Sequence, residues 1–153
     1  MESEILKVIT QGATDYFAMV GRQPAIIHPA YLENPRSTPV DDFSAVIGIS
    51  GRYRGCVYFT APRALLMPLL EKLGEASGED RLCADLAGEI SNTIAGNARK
   101  QLGAGFMISV PLLMKGRPDE IQFPKGVDCF VVPIEWAGQR ARLVFAIRQE
   151  EAA

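Results

Sequence analysis

Two polar side chains, Glu89 and Asn92, stand three residues apart in the stretch AGEISNTIAG. The apolar residues around them recur at helical spacing, and an i, i+3 pair on a helix lies on one face, one turn apart. A carboxylate can bind a cation, whereas a carboxamide both donates and accepts hydrogen bonds. Such a pair could hold a charged partner with one group and orient a water molecule with the other.

The helix that carries this pair is predicted over residues 79–102, and Gly103 and Gly105 follow it. On a helical wheel its apolar arc consists of Cys83, Ala84, Leu86, Ala87, Ile90, Ile94, Ala95, Ala98 and Leu102. The opposite arc consists of Asp85, Glu89, Asn92, Gly96, Arg99 and Lys100. We therefore predict that Glu89 and Asn92 point outward together.

The ordinary interpretation of this arc is a solvated polar face, and two features disfavour it. Asparagine is a poor residue for a helix interior, yet Asn92 lies in the middle. Gly88 and Gly96 lie on or beside the same face, and each costs about 1 kcal/mol against alanine. A helix that accepts two glycines is expected where something must approach its backbone closely. We predict that Asp85 and Gly96 contact a partner.

Composition limits the classes of function. The 153 residues fit one domain, 1–153, with 48% hydrophobic and 22% charged residues and a net charge of -2. No basic stripe indicates nucleic-acid binding. No apolar run approaches the roughly 18 residues of a membrane span, and the N-terminus lacks the basic region of a signal peptide, so a cytoplasmic protein is expected.

Metal ligands and disulfide partners are also poorly represented. The cysteines Cys56, Cys83 and Cys129 are scattered, and His28 is the single histidine. This pattern does not fit a metal site or a disulfide framework. We expect three buried thiols, a surface or packing role for His28, and no cofactor or metal of the chain's own.

The remaining elements predict an α+β fold: a mainly antiparallel sheet packed with the long helix and two further helices. The expected helices are 3–20, with Ser3 as N-cap and Gly21 as its end, and 62–73, where Pro68 should cause a kink or a delayed start. The expected strands are two within 43–60, one over 106–115 with an edge or bulge at Pro111, and a hairpin of 127–136 and 140–148. Residues 22–42 and 116–126 are expected to be extended or irregular.

The last strand of this hairpin is apolar on both faces. Val144 and Ala146 alternate with Leu143, Phe145 and Ile147. Since both faces are then buried, we expect a helix of the same chain or a two-fold partner to cover the second face.

A family resemblance gives these patterns a function. The stretch DLAGEISNTIAGNARKQLG resembles the signature helix of the CheC, CheX and FliY phosphatases, which has an acidic or serine residue, Glu four positions later, Asn three positions after that, and a downstream proline. Asp85, Glu89 and Asn92 fit, and Pro111 in ISVPLLMKG resembles the proline at a shorter interval than in CheC. The Ala-Gly pair after Asn92, the Val-Pro step and the segment VIGISGRYRGCVYF resemble CheX in particular. The first helix carries no Glu-x-x-Asn, which leaves one site, as in CheX.

The resemblance implies hydrolysis of the aspartyl phosphate of a chemotaxis response regulator, a CheY-type receiver. Asn92 would orient the attacking water, and Glu89 would pair with the lysine of the receiver, whose own carboxylates would hold Mg²⁺. It also implies a homodimer. Three alternatives stay open: a non-catalytic adaptor for a response regulator or motor component, a small-molecule sensor domain, and acid/base hydrolysis by Asp85 with Glu89.

Overall fold

A computed structural model describes residues 2–75, 77–116 and 123–150, and in these ranges three helices pack against one face of an eight-stranded sheet. The helices are α1 (Glu2–Met19), α2 (Arg63–Lys72) and α3 (Asp80–Leu102). The strands are β1 (Ile26–Ile27), β2 (Tyr31–Glu33), β3 (Phe43–Gly51), β4 (Tyr53–Ala61), β5 (Phe106–Ile108), β6 (Leu112–Lys115), β7 (Cys129–Trp136) and β8 (Gln139–Gln149). The predicted α+β class and the mainly antiparallel sheet are confirmed.

The sheet has the order β1–β7–β8–β4–β3–β5, with β2 also pairing to β7 and β6 also pairing to β3. Each of these pairings is antiparallel. Two tight hairpins build its centre: β3 turns into β4 at Gly51 (φ 91°), and β7 turns into β8 at Ala137 and Gly138 (φ 51° and 77°). Positive φ strongly favours glycine, so these turns locate the two hairpins that the sequence predicts.

The main core lies between the sheet and the helices. The alternating residues Ala45, Ile47 and Ile49 of β3 lie in it, as predicted, and so do Leu143 and Phe145 of β8. Their period of two directs them to the face that the helices cover. The buried stripes of α1, α2 and α3 complete this cluster, so the helices are fixed to the sheet by apolar contact.

The second face of the sheet is covered by this chain itself. Val144 and Ala146 are fully buried there. Phe123 and Val127, from the segment before β7, pack against this cluster. The expectation of a covering helix or two-fold partner is therefore wrong at this position, because two side chains of a connecting segment supply the cover. This burial gives no support to a dimer.

The predicted strand over 106–115 is two strands, β5 and β6. Ile49 pairs with Ile108 and Val46 with Leu112, so three residues of this edge oppose two of β3. One extra residue on one strand is a β-bulge. A bulge accommodates Pro111, because the proline nitrogen has no hydrogen to donate to the strand pairing. The prediction of an edge or bulge at Pro111 is confirmed, whereas its continuous strand is wrong.

The other boundaries differ in detail. Helix α1 already includes Ser3, so Ser3 is not its N-cap. Helix α2 begins at Arg63 and contains Pro68, so the delayed start is wrong. Residues 22–42 are extended or irregular, as expected, except for one turn of 3-10 helix over Pro35–Ser37. Their short strands β1 and β2 pair with β7. Part of the segment 116–126, residues 117–122, lies outside the described residues.

Candidate active site on helix α3

Helix α3 is held in one rotation by a buried stripe and by one polar contact. Cys83, Ile90 and Ile94 are fully buried against the sheet and neighbouring helices. Between them, the hydroxyl of Ser91 donates to the carbonyl oxygen of Ala45 at 2.8 Å and accepts from the N–H of Phe59 at 3.2 Å. Ala45 and Phe59 are cross-strand partners in β3 and β4, so one hydroxyl ties the helix to both central strands.

Sequence reasoning missed Ser91. Like asparagine, serine is a poor residue for a helix interior, and that was a usable signal. The helical wheel places it beside the apolar stripe, and there it is 1% exposed. Buried hydroxyls are almost always hydrogen-bonded, so a serine predicted beside the buried stripe could have been predicted to anchor the helix by a hydrogen bond.

The rotation set by this anchor places the predicted site residues outward. Asp85, Glu89 and Asn92 are all exposed. Within the described part of the chain, their side chains make no hydrogen bond or ion pair with another residue. Glu89 and Asn92 therefore lie one turn apart on a rigid helix with their polar groups available to a partner.

The two glycines of α3 have different surroundings. A Cβ added at Gly88 would lie 2.5 Å from Cδ2 of Leu113 and 3.7 Å from Cβ of Pro111. The close approach at Gly88 is therefore made by this chain's own β6 and the residue before it, not by a partner. A Cβ added at Gly96 would meet no atom of the described residues within 4 Å apart from the adjacent backbone of its own helix, so the face at Gly96 is open. Pro111 thus lies near Gly88, which directly precedes Glu89 in the sequence.

Helix α1 lies against α3 behind this face. A Cβ added at Gly12 would lie 3.4 Å from Cα of Ile94 and 3.4 Å from Nδ2 of Asn97, so the two helices approach closely there. One turn further along α1, Tyr16 is 5% exposed. Burial, and secondarily the charge of Glu89, raises the pKa of Tyr16 well above its usual value, so Tyr16 keeps its proton.

The first turn of α3 is fixed by charges. The carboxylate of Asp80 accepts hydrogen bonds from Lys115 of β6 and from Arg63 of α2, and these bonds lower the pKa of Asp80. The guanidinium of Arg63 also lies over the ring of Phe43, 5.1 Å from its centroid, and donates to the carbonyl oxygen of Gly78. These contacts join α3 to α2, β3 and β6 at one end.

Other predicted features have structural roles. His28 Nε2 lies 3.1 Å from Glu135 Oε2, which fits the expected packing role. Cys56, Cys83 and Cys129 are buried, as expected, and burial raises the pKa of all three thiols. The described residues contain no group of three or more His, Cys, Asp or Glu that could hold a metal ion.

A shallow groove of about 380 Å³ lies between α1 and the segment 27–30. No residue of α3 lines it, so a small molecule bound there would not touch Glu89 or Asn92. Among the described helices, none is long and apolar enough to cross a membrane.

Comparison with known proteins places this arrangement in a family. The model of the family described as "Chemotaxis phosphatase CheX" matches residues 43–135, more than half of the chain, including Asp85, Glu89, Asn92 and Pro111. The chain belongs to the CheX family. Searched against curated proteins, its sequence finds no match.

Solved structures share the CheX fold along nearly the whole chain. A CheC-like superfamily protein from Shewanella sp. PV-4 has a TM-score of 0.82 at 19% identity, over 97% of this chain and 99% of the other. CheX from Vibrio vulnificus has a TM-score of 0.79 at 18% identity, over 95% and 99%. A chain of the CheX–CheY–BeF3–Mg²⁺ complex from Borrelia burgdorferi has a TM-score of 0.75 at 22% identity, over 94% and 97%.

Proposed function

We propose that this CheX-family chain is a phosphatase that hydrolyses the aspartyl phosphate of a response-regulator receiver domain of the CheY type. The observation that carries the proposal is the pair Glu89 and Asn92, exposed one turn apart and without partners among the described residues. The Borrelia burgdorferi complex of CheX with CheY supports a receiver as the partner. A helix that presents two unpaired polar groups on a rigid core suits insertion into another protein's site.

The chemistry needs positioning more than covalent help. An aspartyl phosphate is a mixed anhydride, and its hydrolysis requires a water in line with the leaving carboxylate. The water oxygen bonds to phosphorus as the bond from phosphorus to the aspartyl oxygen breaks, giving inorganic phosphate and a free carboxylate. The carboxamide of Asn92 can accept a hydrogen bond from that water and donate another to a phosphoryl oxygen, which fixes the line of attack.

Glu89 serves docking in this proposal. Its carboxylate pairs with the lysine that contacts the phosphoryl group in the receiver, and so sets the register of the two proteins. Asp85 and Gly96 lie on the same helix, where they contact the receiver on either side of the pair. The receiver's own carboxylates hold Mg²⁺, and no cofactor of this chain takes part.

The assembly and location follow from the same proposal. We expect a homodimer, as the family resemblance implies, in the cytoplasm where chemotaxis receivers act. Because Glu89 and Asn92 lie on one helix of one chain, each copy would carry its own complete site. Light scattering at micromolar concentration should then give twice the 16.7 kDa chain mass, and the monomer mass would remove the dimer while leaving the phosphatase proposal intact.

The test of catalysis is Asn92→Ala against a control on the same helix. Asn92 is exposed, so the variant should fold normally, and its rate of phosphate release from a phosphorylated receiver should fall roughly 10²-fold or more. Gln101→Ala also removes an exposed amide from α3, beyond the proposed face, and should keep the wild-type rate. Equal rates in the two variants would refute the role of Asn92.

The test of docking is Glu89→Ala together with Glu89→Lys. Loss of the carboxylate should weaken receiver binding, and lysine should weaken it further because two like charges then meet. Titration calorimetry with the phosphorylated receiver measures both. Unchanged affinity in both variants would show that Glu89 does not dock the receiver. Tight binding by the wild type with no release of phosphate would instead identify a non-catalytic adaptor.

A further inference from the structure

The hydroxyl of Tyr16 is buried and lacks a hydrogen-bond partner among the described residues. The tyrosine is 5% exposed, and its ring makes an edge contact with Phe17, with ring centroids 5.5 Å apart. A buried hydroxyl without a partner is unusual in a folded protein, since it loses water without compensation. Phenylalanine would fill the same space without that loss.

The packing of α1 on α3 shows where this hydroxyl lies. Gly12 sits against Ile94 and Asn97, and Tyr16 follows one turn later on the same face of α1. The charge that acts on Tyr16 is that of Glu89, about one turn before Ile94 on α3. Phe17, the residue after Tyr16, has its ring centroid 6.3 Å from that of Phe59, whose N–H donates to Ser91. From Gly12 to Phe17, α1 therefore runs back along α3 from Asn97 and Ile94 towards Ser91, which places Tyr16 on the Glu89 side of Ile94.

Among the described residues, Glu89 is a hydrogen-bond acceptor without a donor, whereas Tyr16 is a donor without an acceptor. The Glu89 carboxylate is exposed and has no hydrogen-bond or ion-pair partner within the described ranges, so no such bond from these ranges fixes its rotamer. Tyr16, in contrast, lies in the main buried core and its ring contacts that of Phe17. A rigid donor behind a flexible acceptor can select one orientation of that acceptor.

We propose that Tyr16 is a positioning residue for Glu89, whose carboxylate turns to accept a hydrogen bond from the Tyr16 hydroxyl when the receiver docks. This inference rests on the proposed docking role of Glu89. A phenol is protonated at neutral pH and can therefore donate, and burial raises the pKa of Tyr16 further in the same direction. Tyr16 touches neither the phosphoryl group nor the water, so it acts through receiver affinity rather than through the chemical step.

The test is Tyr16→Phe, with Tyr53→Phe as a matched control. Tyr53, at the start of β4, is another tyrosine of the same core. Its ring centroid lies 5.2 Å from that of Phe106 in β5. Tyr16→Phe should melt at or above the wild-type temperature, because the lost hydroxyl has no hydrogen-bond partner among the described residues. It should raise KM for the phosphorylated receiver roughly tenfold, the scale of one hydrogen bond to a charged group, with kcat unchanged. Tyr53→Phe should change neither kinetic constant.

A double-mutant cycle separates this inference from the proposed function. In a Glu89→Ala background, Tyr16→Phe should have no further effect on receiver affinity. An equal loss in both backgrounds, a wild-type KM in Tyr16→Phe, or a lower melting temperature would overturn the positioning role. The wild type and Glu89→Ala alone test the proposed function, whatever Tyr16→Phe does.

Discussion

Gly96→Ala should make the protein more stable and less active. Alanine is favoured over glycine in a helix interior by about 0.8–1.0 kcal/mol. Outside the adjacent backbone of α3, a Cβ at Gly96 meets no atom within 4 Å in the part of the chain that the structure describes, so no steric cost offsets this gain. For a chain of this length, about 1 kcal/mol raises the melting temperature by roughly 2–4 °C. If the receiver backbone approaches Gly96, the added methyl pushes it away, and a displacement of about 1 Å can cost roughly 10²-fold in rate.

The assays are thermal unfolding and phosphate release, with Gly88→Ala as the matched control. Gly88→Ala makes the same change on the same helix, but the added Cβ would lie 2.5 Å from Cδ2 of Leu113. Displacement of Leu113 should therefore cancel the gain in stability. A Gly96→Ala variant that is more stable and fully active would show that the receiver does not contact Gly96. A Gly96→Ala variant that is less stable would refute the inference that this face is open.

Three further outcomes can be measured. Ser91→Ala should lower the free energy of unfolding, measured by denaturant titration, by about 1–3 kcal/mol. The buried Phe59 N–H and Ala45 carbonyl each lose a hydrogen bond in this variant. An unchanged unfolding midpoint would contradict the anchoring role of Ser91. Iodoacetamide at pH 8 should label Cys56 and Cys129 slowly in the native protein and rapidly in denaturant. The reason is that burial raises their pKa values to about 12 and about 11, and the thiolate is the reactive form. Fast labelling of the native protein would contradict their burial. If the dimer forms, calorimetry should saturate at two receivers per dimer, and saturation at one would show overlapping sites.

The features that depend on periodicity were predictable from the sequence. The outward face of α3 follows from its spacing of apolar residues, and Glu89 and Asn92 are exposed as the helical wheel predicts. The two central hairpins follow from alternating strands around turns with glycine. These signals are local, because each depends on neighbours within one or two turns or within one hairpin.

The features that depend on distant pairing were not predictable. The cover over Val144 and Ala146 comes from Phe123 and Val127 in a connecting segment, which has no periodicity to reveal its position. The glycines of α3 predict a close approach to the helix but not its source, and at Gly88 it is Leu113, from an edge strand 25 residues later in the chain. A bulge fixes that register, and one extra residue in an edge strand leaves no distinctive sequence pattern.

The hydroxyl of Ser91 limits how this chain can change in length. A helix turns by about 100° for each residue. One residue inserted or deleted between Asp80 and Ser91 would therefore rotate the first turn of α3 relative to Ser91. Asp80 would then face away from Arg63 and Lys115, to which it is bonded. An insertion between Ser91 and Asn92 would turn Asn92 by about 100° relative to the buried Ser91, and so away from its present position on the exposed face. The turn that follows Lys72 carries no such constraint on its length. Among natural relatives, length differences should therefore accumulate before Asp80 and be absent between Asp80 and Asn92.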